Sequence, residues 1–348
     1  MCAFLEGGFE MRLEIGNFYV RNIIFGEKLS FESGILTINK DEALTYIRAD
    51  ERITEAELYI AKPGDPIRIC PVKEAIEPRV RPDGRGVFPG YTGDLERAGN
   101  GTVHALKNCS VLVVGRHWGG FQDGLIDMSG EGQKYTYFGQ LNNIVLVADT
   151  NEVFEQREQQ KKNDALRRAG HKLAEYIAQC VKELKPEETE VYDLDAMIRR
   201  GADVETLPSV VYVMQPQSQM EELGYNDLVY GWDMNRMVPT VMHPNEILDG
   251  ALVSGSFMPV SSKWSTYDFQ NCPNIKALYR EHGKTINFLG VIMSNLNVAL
   301  EQKERAALFV AQIANTLGAD GAVVAEEGYG NPDADFVGCI VALEDAGV

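Results

Sequence analysis

The sequence predicts an α/β protein in which an N-terminal β-rich region is followed by a mostly parallel α/β sheet unit. Apolar and polar side chains alternate between short turns over residues 11–60, which is typical of half-buried strands. Apolar side chains recur at helical spacing over residues 151–185, which indicates a long helix. Beyond residue 205, short apolar runs alternate with segments of helical length, a pattern that favours strands pairing in parallel.

The N-terminal region divides at its turns. MRLEIGNFYVRNIIFG predicts a strand that turns at Gly26, and SGILTIN predicts another. DEALTYIRADERI predicts a helix with Asp41 as its N-cap, and AELYIAKPGDPIRICPV predicts two extended segments around a Pro-Gly-Asp turn. Residues 77–103 are rich in proline and glycine, so they form either a linker or an ordered loop. The arginines of this stretch are expected to form the main basic patch, either solvated or in contact with a partner or carboxylates.

The central region is predicted to contain a buried strand, NCSVLVVG, a second strand, NNIVLVAD, and then the long helix, on which we expect His171 to be partly exposed. The C-terminal strands are predicted at VVYVMQ, GALVSGSFM, NFLGVIMS and GAVVAEEG. His243 is a candidate cap for the helix NEILDG, and Gly318 closes the helix ERAALFVAQIANTLG. The chain is therefore expected to divide into residues 1–103, with the Pro/Gly-rich loop, residues 104–204, with the central strands and the long helix, and residues 205–348, the α/β domain.

A cluster of polar residues follows one of the C-terminal strands. Ligands of parallel α/β sheets bind beyond the carboxyl ends of the strands. The strand GAVVAEEG ends in Glu326 and Glu327, and the turn after it presents Asn331. Such a cluster could bind an ammonium group or contact a partner subunit, and a solvated turn is the alternative. These three residues are therefore candidate substrate-binding residues.

The composition excludes several classes of function. The chain has 33 basic and 51 acidic side chains, a formal charge of −18, so neither nucleic acid nor an anionic membrane is an expected partner. Six scattered cysteines without a CxxC pair argue against a disulfide framework and a zinc site, and they favour reduced thiols in a cytoplasmic protein. The sequence also lacks an apolar run long enough to span a bilayer and an N-terminal signal peptide.

Seven motifs, taken in order, resemble one family. They are MRLEIGNFYV, IAKPGDPIRICPVKEAIEPRV, GFQDGLIDMSG, NNIVLVAD, HPNEILDGALVSG, FLGVIMSNLNV and EEGYGNPDAD. Together they resemble the proprotein of component B of glycine, sarcosine and betaine reductases, a family that shares features with the D-proline reductase proprotein. The resemblance runs from Met11 almost to the last residue, which makes Met11 a candidate for the true start.

The resemblance implies reductive cleavage of a C–N bond. In that family the proprotein cleaves itself at a cysteine, and the downstream fragment begins with a pyruvoyl group. The keto carbon of this group condenses with the substrate amine, and a selenocysteine on a partner protein then attacks the α-carbon. The implied partners are therefore a thiol- or selenocysteine-bearing reductase subunit, a small thiol or selenol carrier protein, and a small amine substrate.

The chain departs from the family at the cleavage point. The family strand ends in Ser-Gly-Asn-Cys, whereas this chain reads Ser254-Gly255-Ser256-Phe257, here called the junction segment. Phenylalanine has neither the nucleophile for the acyl shift nor the leaving group that pyruvoyl formation needs. We therefore expect an unprocessed subunit without a cofactor, which acts as a structural partner or with altered chemistry.

Two alternatives stay open. Ser256 could itself yield a pyruvoyl group by cleavage of the Gly255–Ser256 bond, with Thr266 or Tyr267 as proton donor. The chain could instead bind an amine or amino acid without catalysis. In each case Gly255 and Phe257 join the candidate substrate-binding residues. Glycine, sarcosine, betaine and proline differ in nitrogen substitution, and the sequence motifs leave the choice among them open.

Overall fold

The computed structural model describes residues 11–116, 124–150, 159–195, 204, 206–218, 226–255 and 260–348. In this part of the chain the strands are β1 (Leu13–Tyr19), β2 (Asn22–Phe25), β3 (Ser30–Glu32), β4 (Ile35–Ile38), β5 (Ile53–Ala61), β6 (Arg68–Ile76), β7 (Arg79–Val80), β8 (Gly101–Lys107), β9 (Cys109–Gly115), β10 (Gly124–Asp127), β11 (Asn142–Thr150), β12 (Glu188–Tyr192), β13 (Ser209–Gln215), β14 (Leu228–Val229), β15 (Trp232–Asp233), β16 (Thr240–Met242), β17 (Leu252–Val253), β18 (Asn287–Met293) and β19 (Gly321–Glu326). The α-helices are α1 (Lys40–Arg48), α2 (Gln159–Ala178), α3 (Pro244–Leu248), α4 (Thr266–Gln270), α5 (Pro273–Glu281), α6 (Leu300–Thr316) and α7 (Asp333–Asp345). None of these helices is both long and apolar enough to cross a lipid bilayer.

The central sheet has five strands in the order β10-β6-β9-β11-β5. β9 lies in its middle, parallel to β11 and antiparallel to β6. On one face Val113 shares a core with Leu166 of α2, and on the other face Leu112 shares a core with Phe138 and Tyr267. Because both faces are covered, every residue of β9 is buried. The buried strand predicted from its continuous apolar run is confirmed.

Two four-stranded sheets share a second core. The first has the order β12-β1-β8-β7, and the second has the order β16-β18-β13-β19. In the second sheet β13 is parallel to β18 and β19, while β16 runs antiparallel to β18. Leu13 and Val103 of the first sheet share their core with Met214 and Phe288 of the second, and α6 and α7 pack against the second sheet on the side away from that core. The predicted α/β fold with a mostly parallel C-terminal sheet is confirmed.

The strand that leads to the junction segment does not join the parallel sheet. β17 has two residues and pairs antiparallel with β14, in a three-stranded sheet of order β15-β14-β17. Gly250, at φ 88°, turns the chain between α3 and β17, and only Leu252 and Val253 then meet β14. The expectation that this segment is one of the alternating strands of the parallel unit is thereby corrected. A separate sheet, β2-β4-β3, lies near the N-terminus.

The expected division at residues 103 and 104 falls inside β8. The four-stranded sheet of β1, β7, β8 and β12 and the five-stranded central sheet both pair strands from the two sides of this division. The three-part division of the chain stays a prediction.

Three helix ends test the local predictions. Asn39, not Asp41, is the N-cap of α1: its side chain accepts a bond from the Asp41 amide, because Asn39 is the last extended residue before the helix. His243 caps α3 through the amide of Asn245, as predicted. Gly318, at φ 71°, follows the last turn of α6, as expected for a glycine that ends a helix.

The Pro/Gly-rich stretch is ordered, and two of its arginines are buried rather than part of a basic patch. Arg79 pairs with Glu77, and Arg81 pairs with Asp249. All four side chains are at most 2% exposed. Contact with carboxylates, one of the two alternatives for this stretch, is therefore found for these arginines. The expectation of a solvated basic patch is wrong for them, because their carboxylate partners lie inside the fold.

Candidate functional site

The backbone amides of the first two residues of the junction segment donate hydrogen bonds to buried side-chain oxygens. The Ser254 amide donates to Oγ1 of Thr266 at 3.0 Å, and the Gly255 amide donates to Oδ1 of Asp227 at 2.8 Å. A Cβ on Gly255 would lie 1.7 Å from the carbonyl oxygen of Asn226, so only glycine fits this close approach. The other two candidates of the segment, Ser256 and Phe257, lie outside the described residues.

Thr266 is the centre of a buried group of side chains, here called the junction network: Glu74, His171 and Thr266. Its Oγ1 lies 2.9 Å from Oε2 of Glu74 and 3.2 Å from Nε2 of His171. The other oxygen of Glu74 accepts bonds from the backbone amides of Thr266 and Ala75 at 3.0 and 2.9 Å. The network therefore links β6, α2 and the first residue of α4 to the amide of Ser254.

Burial keeps the two titratable groups of the junction network neutral. It raises the pKa of Glu74 to about 8 and lowers the pKa of His171 to about 3. Nδ1 of His171 lies 2.9 Å from the carbonyl oxygen of Arg167, so it carries the ring hydrogen and Nε2 is an acceptor. Protonated Glu74 then donates to Thr266, and Thr266 donates to His171. Every hydrogen-bonding group of the network has a partner in this arrangement.

His171 is fully buried, which corrects the expectation of partial exposure. The rings of Phe88 and Tyr91 stand edge-on to it, with centroids 4.5 and 5.0 Å away. Both aromatic residues come from the Pro/Gly-rich stretch, so this stretch covers the imidazole. The sequence pattern of α2 could not reveal this contact, because the covering residues precede His171 by about eighty positions.

A second buried group lies beyond the ends of β13 and β19. The Gln217 amide donates to Oδ2 of Asp227 at 3.1 Å and to Oε2 of Glu327 at 2.8 Å. Burial raises the pKa of both acids. The carboxyl of Asp227 raises the pKa of Glu327 further, whereas hydrogen bonds from Glu327 and from the amides of Gly255 and Gln217 oppose the rise at Asp227. Asp227 and Glu327, here called the carboxyl pair, are thus coupled by a hydrogen bond and by their charges.

Lys263 lies beside the carboxyl pair. Its Nζ donates to Oε1 of Gln217 and, at 3.2 Å, to the backbone carbonyl of Glu327. Burial lowers the pKa of this lysine, and the carboxyls of Glu327 and Asp227 oppose that effect. The group thus combines a buried ammonium with two carboxyls, one of which fixes the amide of Gly255.

The two glutamates at the end of β19 have different surroundings. Glu327 is 1% exposed, and its Oε1 accepts a bond from the Trp264 amide at 2.9 Å, so it is not part of a solvated turn. Glu326 lines a cavity, and its Oε2 is buried without a hydrogen-bond partner among the described residues. Asn331 is not among the residues that line the cavity, and its carbonyl accepts a bond from Lys303.

The cavity has a volume of about 460 Å³ and an aromatic wall, and we call it the aromatic cavity. Burial, followed by the nearby carboxyl of Asp333, raises the pKa of Glu326 in this wall to about 7. The hydroxyl of Tyr267 lies 3.2 Å from that of Tyr137, which places this predicted site residue behind the wall. The lining residues are Tyr135, Thr136, Tyr137, Phe138, Val260, Ser261, Ser262, Lys263, Trp264, Asp268, Glu326 and Gly328.

The structure thus gathers most of the described candidates into one region. Gly255, Thr266 and Glu327 lie in linked buried networks, and Glu326 and Tyr267 lie at the aromatic cavity. Sequence reasoning missed Glu74, Asp227, Lys263, Tyr135 and Tyr137. The one local signal for the tyrosines is the run YTYF, three aromatic side chains in four residues without strand or helix periodicity. Within the described ranges, no group of three or more His, Cys, Asp or Glu residues is placed to hold a metal ion.

Comparison with known proteins gives consistent matches over nearly the whole chain. Residues 11–348 match the family described as glycine/sarcosine/betaine reductase component B subunits. The chain is 72% identical to the betaine reductase complex component B subunit alpha of Peptoclostridium acidaminophilum, over 97% of this chain and 77% of that protein. It is 41% identical to the glycine reductase complex component B subunits alpha and beta of the same organism, over 97% of this chain and 78% of that protein. It is 19% identical to the D-proline reductase proprotein PrdA of Acetoanaerobium sticklandii, over 93% of this chain and 51% of that protein. No solved structure is significantly similar to the chain.

Proposed function

The chain belongs to the glycine/sarcosine/betaine reductase component B subunits, and we propose that it is the uncleaved, substrate-binding subunit of a complex that reduces a quaternary ammonium compound of the betaine type. The resemblance predicted from the seven motifs is confirmed by the family match. The observation that carries the choice of substrate is Phe257, at the position where the resemblance implies the pyruvoyl-forming cysteine.

The chemistry of the substrate nitrogen explains why such a subunit would lack the cysteine. A primary or secondary amine condenses with a keto carbon through its nitrogen lone pair. A quaternary nitrogen has neither a lone pair nor an N–H, so it forms no imine and gains nothing from a pyruvoyl group. Its C–N bond is already activated, because the leaving group departs as a neutral tertiary amine. Phe257 does not fit a cysteine-derived pyruvoyl group, and the proposed reaction needs none.

The reacting nucleophile belongs to a partner in this proposal. A selenolate or thiolate of a partner subunit attacks the methylene carbon and forms a new carbon–chalcogen bond. The C–N bond breaks, its electron pair stays on nitrogen, and trimethylamine leaves. The carboxymethyl group stays bonded to the partner's chalcogen until a thiolate or selenolate of a small carrier protein attacks its methylene carbon, which transfers the group to the carrier and releases the partner's selenolate or thiolate. This chain's own task is to bind the substrate and orient its C–N bond.

Two further observations support this proposal. The relative at 72% identity is named as a betaine reductase subunit, whereas the relative named for glycine reductase is 41% identical. The junction segment is held through Ser254 and Gly255 in the same buried networks as Thr266 and Asp227. The scattered cysteines favour a reducing compartment, and we place the complex in the cytoplasm.

The absence of processing is testable on the purified chain. We expect intact mass spectrometry to give one uncleaved species, and we expect no mass increase after treatment with a hydrazine, since no carbonyl group is formed. A sample in two fragments, split between Gly255 and Ser256 with a hydrazine-reactive smaller fragment, would instead support pyruvoyl formation from Ser256. The glycine reductase component B subunits, treated in parallel, provide the positive control for the carbonyl reaction.

A further inference from the structure

The aromatic cavity contains the groups that recognise a cation lacking hydrogen-bond donors. A trimethylammonium group has no N–H, so hydrogen bonding cannot select it. Proteins bind such cations with aromatic faces and with carboxylates nearby. The wall of the cavity presents Tyr135, Tyr137 and Phe138 from one segment, Trp264 from another, and Glu326 from the end of β19.

Two of these rings lie at the surface, and Tyr137 also packs on the ring of Tyr267 behind the wall. Tyr135 is 85% exposed and Tyr137 is 59% exposed, and both face the same cavity. A single exposed aromatic side chain is ordinary on a protein surface. Two exposed rings beside a buried carboxylate oxygen form a composite feature that a ligand would cover.

The carboxyl of Glu326 is the second, independent observation. Its Oε2 is buried and has no hydrogen-bond partner among the described residues, an arrangement that costs free energy unless a ligand compensates. Burial raises its pKa, a hydrogen bond between the carboxyl and Asp333 and the charges of Asp333 and Asp335 raise it further, and Lys263 has the opposite effect. A cation in the cavity would stabilise the ionised form of this carboxyl.

We propose that the aromatic cavity is the binding site for a quaternary ammonium carboxylate, with Tyr135, Tyr137 and Trp264 around the cation and Glu326 as its counter-charge. This inference rests on the proposed function for the class of ligand. Lys263 lines the same cavity and is the cation that meets the ligand carboxylate, since its ammonium uses two of its three donors within the described residues. The volume of about 460 Å³ exceeds the need of so small a ligand and leaves room for the attacking side chain of a partner.

The proposal is tested by calorimetric titration of the full chain with betaine and with 3,3-dimethylbutanoate. The second compound has the shape of betaine but a carbon in place of the charged nitrogen. We expect betaine to bind about tenfold more tightly, because only the cation interacts with the rings and the carboxylate. No measurable betaine binding by the wild-type chain would overturn the proposal, since the site is built from this chain alone.

Two variants separate the contributions. Tyr135→Leu keeps an apolar side chain but removes the ring face, and we expect it to weaken betaine binding about threefold to twentyfold while leaving the neutral analogue nearly unchanged. Glu326→Gln should abolish most of the preference for the charged ligand. Trp232→Leu is the matched control, because Trp232 is 74% exposed and lies outside the cavity wall. Wild-type betaine affinity in either cavity variant would overturn the site.

The failure of this site is distinguishable from the failure of the proposed function. If the complex reconstituted with Tyr135→Leu or with Glu326→Gln releases trimethylamine from betaine with an unchanged KM, the proposed reaction is supported. The aromatic cavity is then excluded as the betaine site. If the wild-type complex releases no trimethylamine from betaine, the proposed function itself falls. A raised KM in both variants, with an unchanged KM in Trp232→Leu, is the result that the proposal requires.

Discussion

Glutamine in place of Glu77 should lower the free energy of unfolding by about 3–5 kcal/mol at pH 7, because it removes the carboxylate of a buried ion pair and leaves the cations in place. The Glu77 carboxylate is fully buried and lies 2.6 Å from Nη2 of Arg79 and 2.8 Å from Nζ of Lys107. Burial alone would raise its pKa, but Lys107 and Arg79 outweigh burial and lower the pKa of Glu77 to about 2. The glutamine variant would leave two buried cations without a counter-charge.

The substitution should also disturb the candidate site, because Glu77 and Arg79 bind the end of α4. The backbone amide of Glu77 donates to Oε1 of Gln270 at 2.9 Å, and Arg79 donates to the Gln270 carbonyl at 3.0 Å. These bonds fix the end of α4, the helix that begins with Thr266. Urea denaturation measures the effect, and the exposed Glu51, changed to glutamine, is the control, with an expected change within about 0.5 kcal/mol. A loss below about 1 kcal/mol for Glu77→Gln would contradict the buried pair.

Glu74→Gln should act in the opposite direction, although Glu74 is also fully buried and lies three residues away. The folded-state pKa of Glu74 is raised to about 8, against about 4.3 in an unfolded chain. A raised pKa contributes stability that is complete below the unfolded value and is lost as the pH rises through the folded value. The wild type should therefore lose stability on the order of 4 kcal/mol between pH 4 and pH 8 through this residue. Glutamine should remove that dependence.

The glutamine amide suits the junction network because it copies the neutral acid. Its oxygen can accept from the amides of Thr266 and Ala75, and its NH₂ can donate to Oγ1 of Thr266. Unfolding free energies of wild type and variant, measured at pH 5, 6, 7 and 8, should diverge steadily, with the variant more stable at pH 8. Parallel curves, or a variant less stable at pH 8, would show that Glu74 is ionised in the folded protein.

The sequence predicts those features that depend on neighbouring residues. The continuous apolar run of β9 identified a buried strand, and the spacing of Gly318 and His243 identified two helix ends. The parallel C-terminal sheet followed from strands and helices that alternate along the chain. Each of these features is set by periodicity or by capping within a few positions.

The remaining features depend on residues that are distant in sequence. Arg81 was expected at the surface, but its partner Asp249 is 168 positions away. His171 was expected to be partly exposed, but Thr266 lies 95 positions away. The aromatic cavity joins Tyr135 to Trp264, which no periodicity connects. In each case, packing between distant segments determines whether the side chain is buried and what it contacts. Local sequence patterns do not predict such contacts.

The missing cysteine has a different meaning when substrate chemistry is considered. From the sequence alone, Phe257 indicated a subunit that had lost its processing. A quaternary ammonium substrate has no use for a carbonyl electrophile, so the same residue is compatible with a working reductase subunit. The aromatic wall and the unpartnered oxygen of Glu326 suit the same class of ligand.

The most direct test of this account is amine release by the complex reconstituted from this chain and the proposed selenocysteine- or thiol-bearing partner subunit. With betaine, sarcosine and glycine offered separately, we predict trimethylamine from betaine and no methylamine or ammonia from the other two, with the chain uncleaved throughout. Release of methylamine or ammonia at a rate comparable to that of trimethylamine would contradict the account, because those substrates need the carbonyl group that Phe257 does not provide.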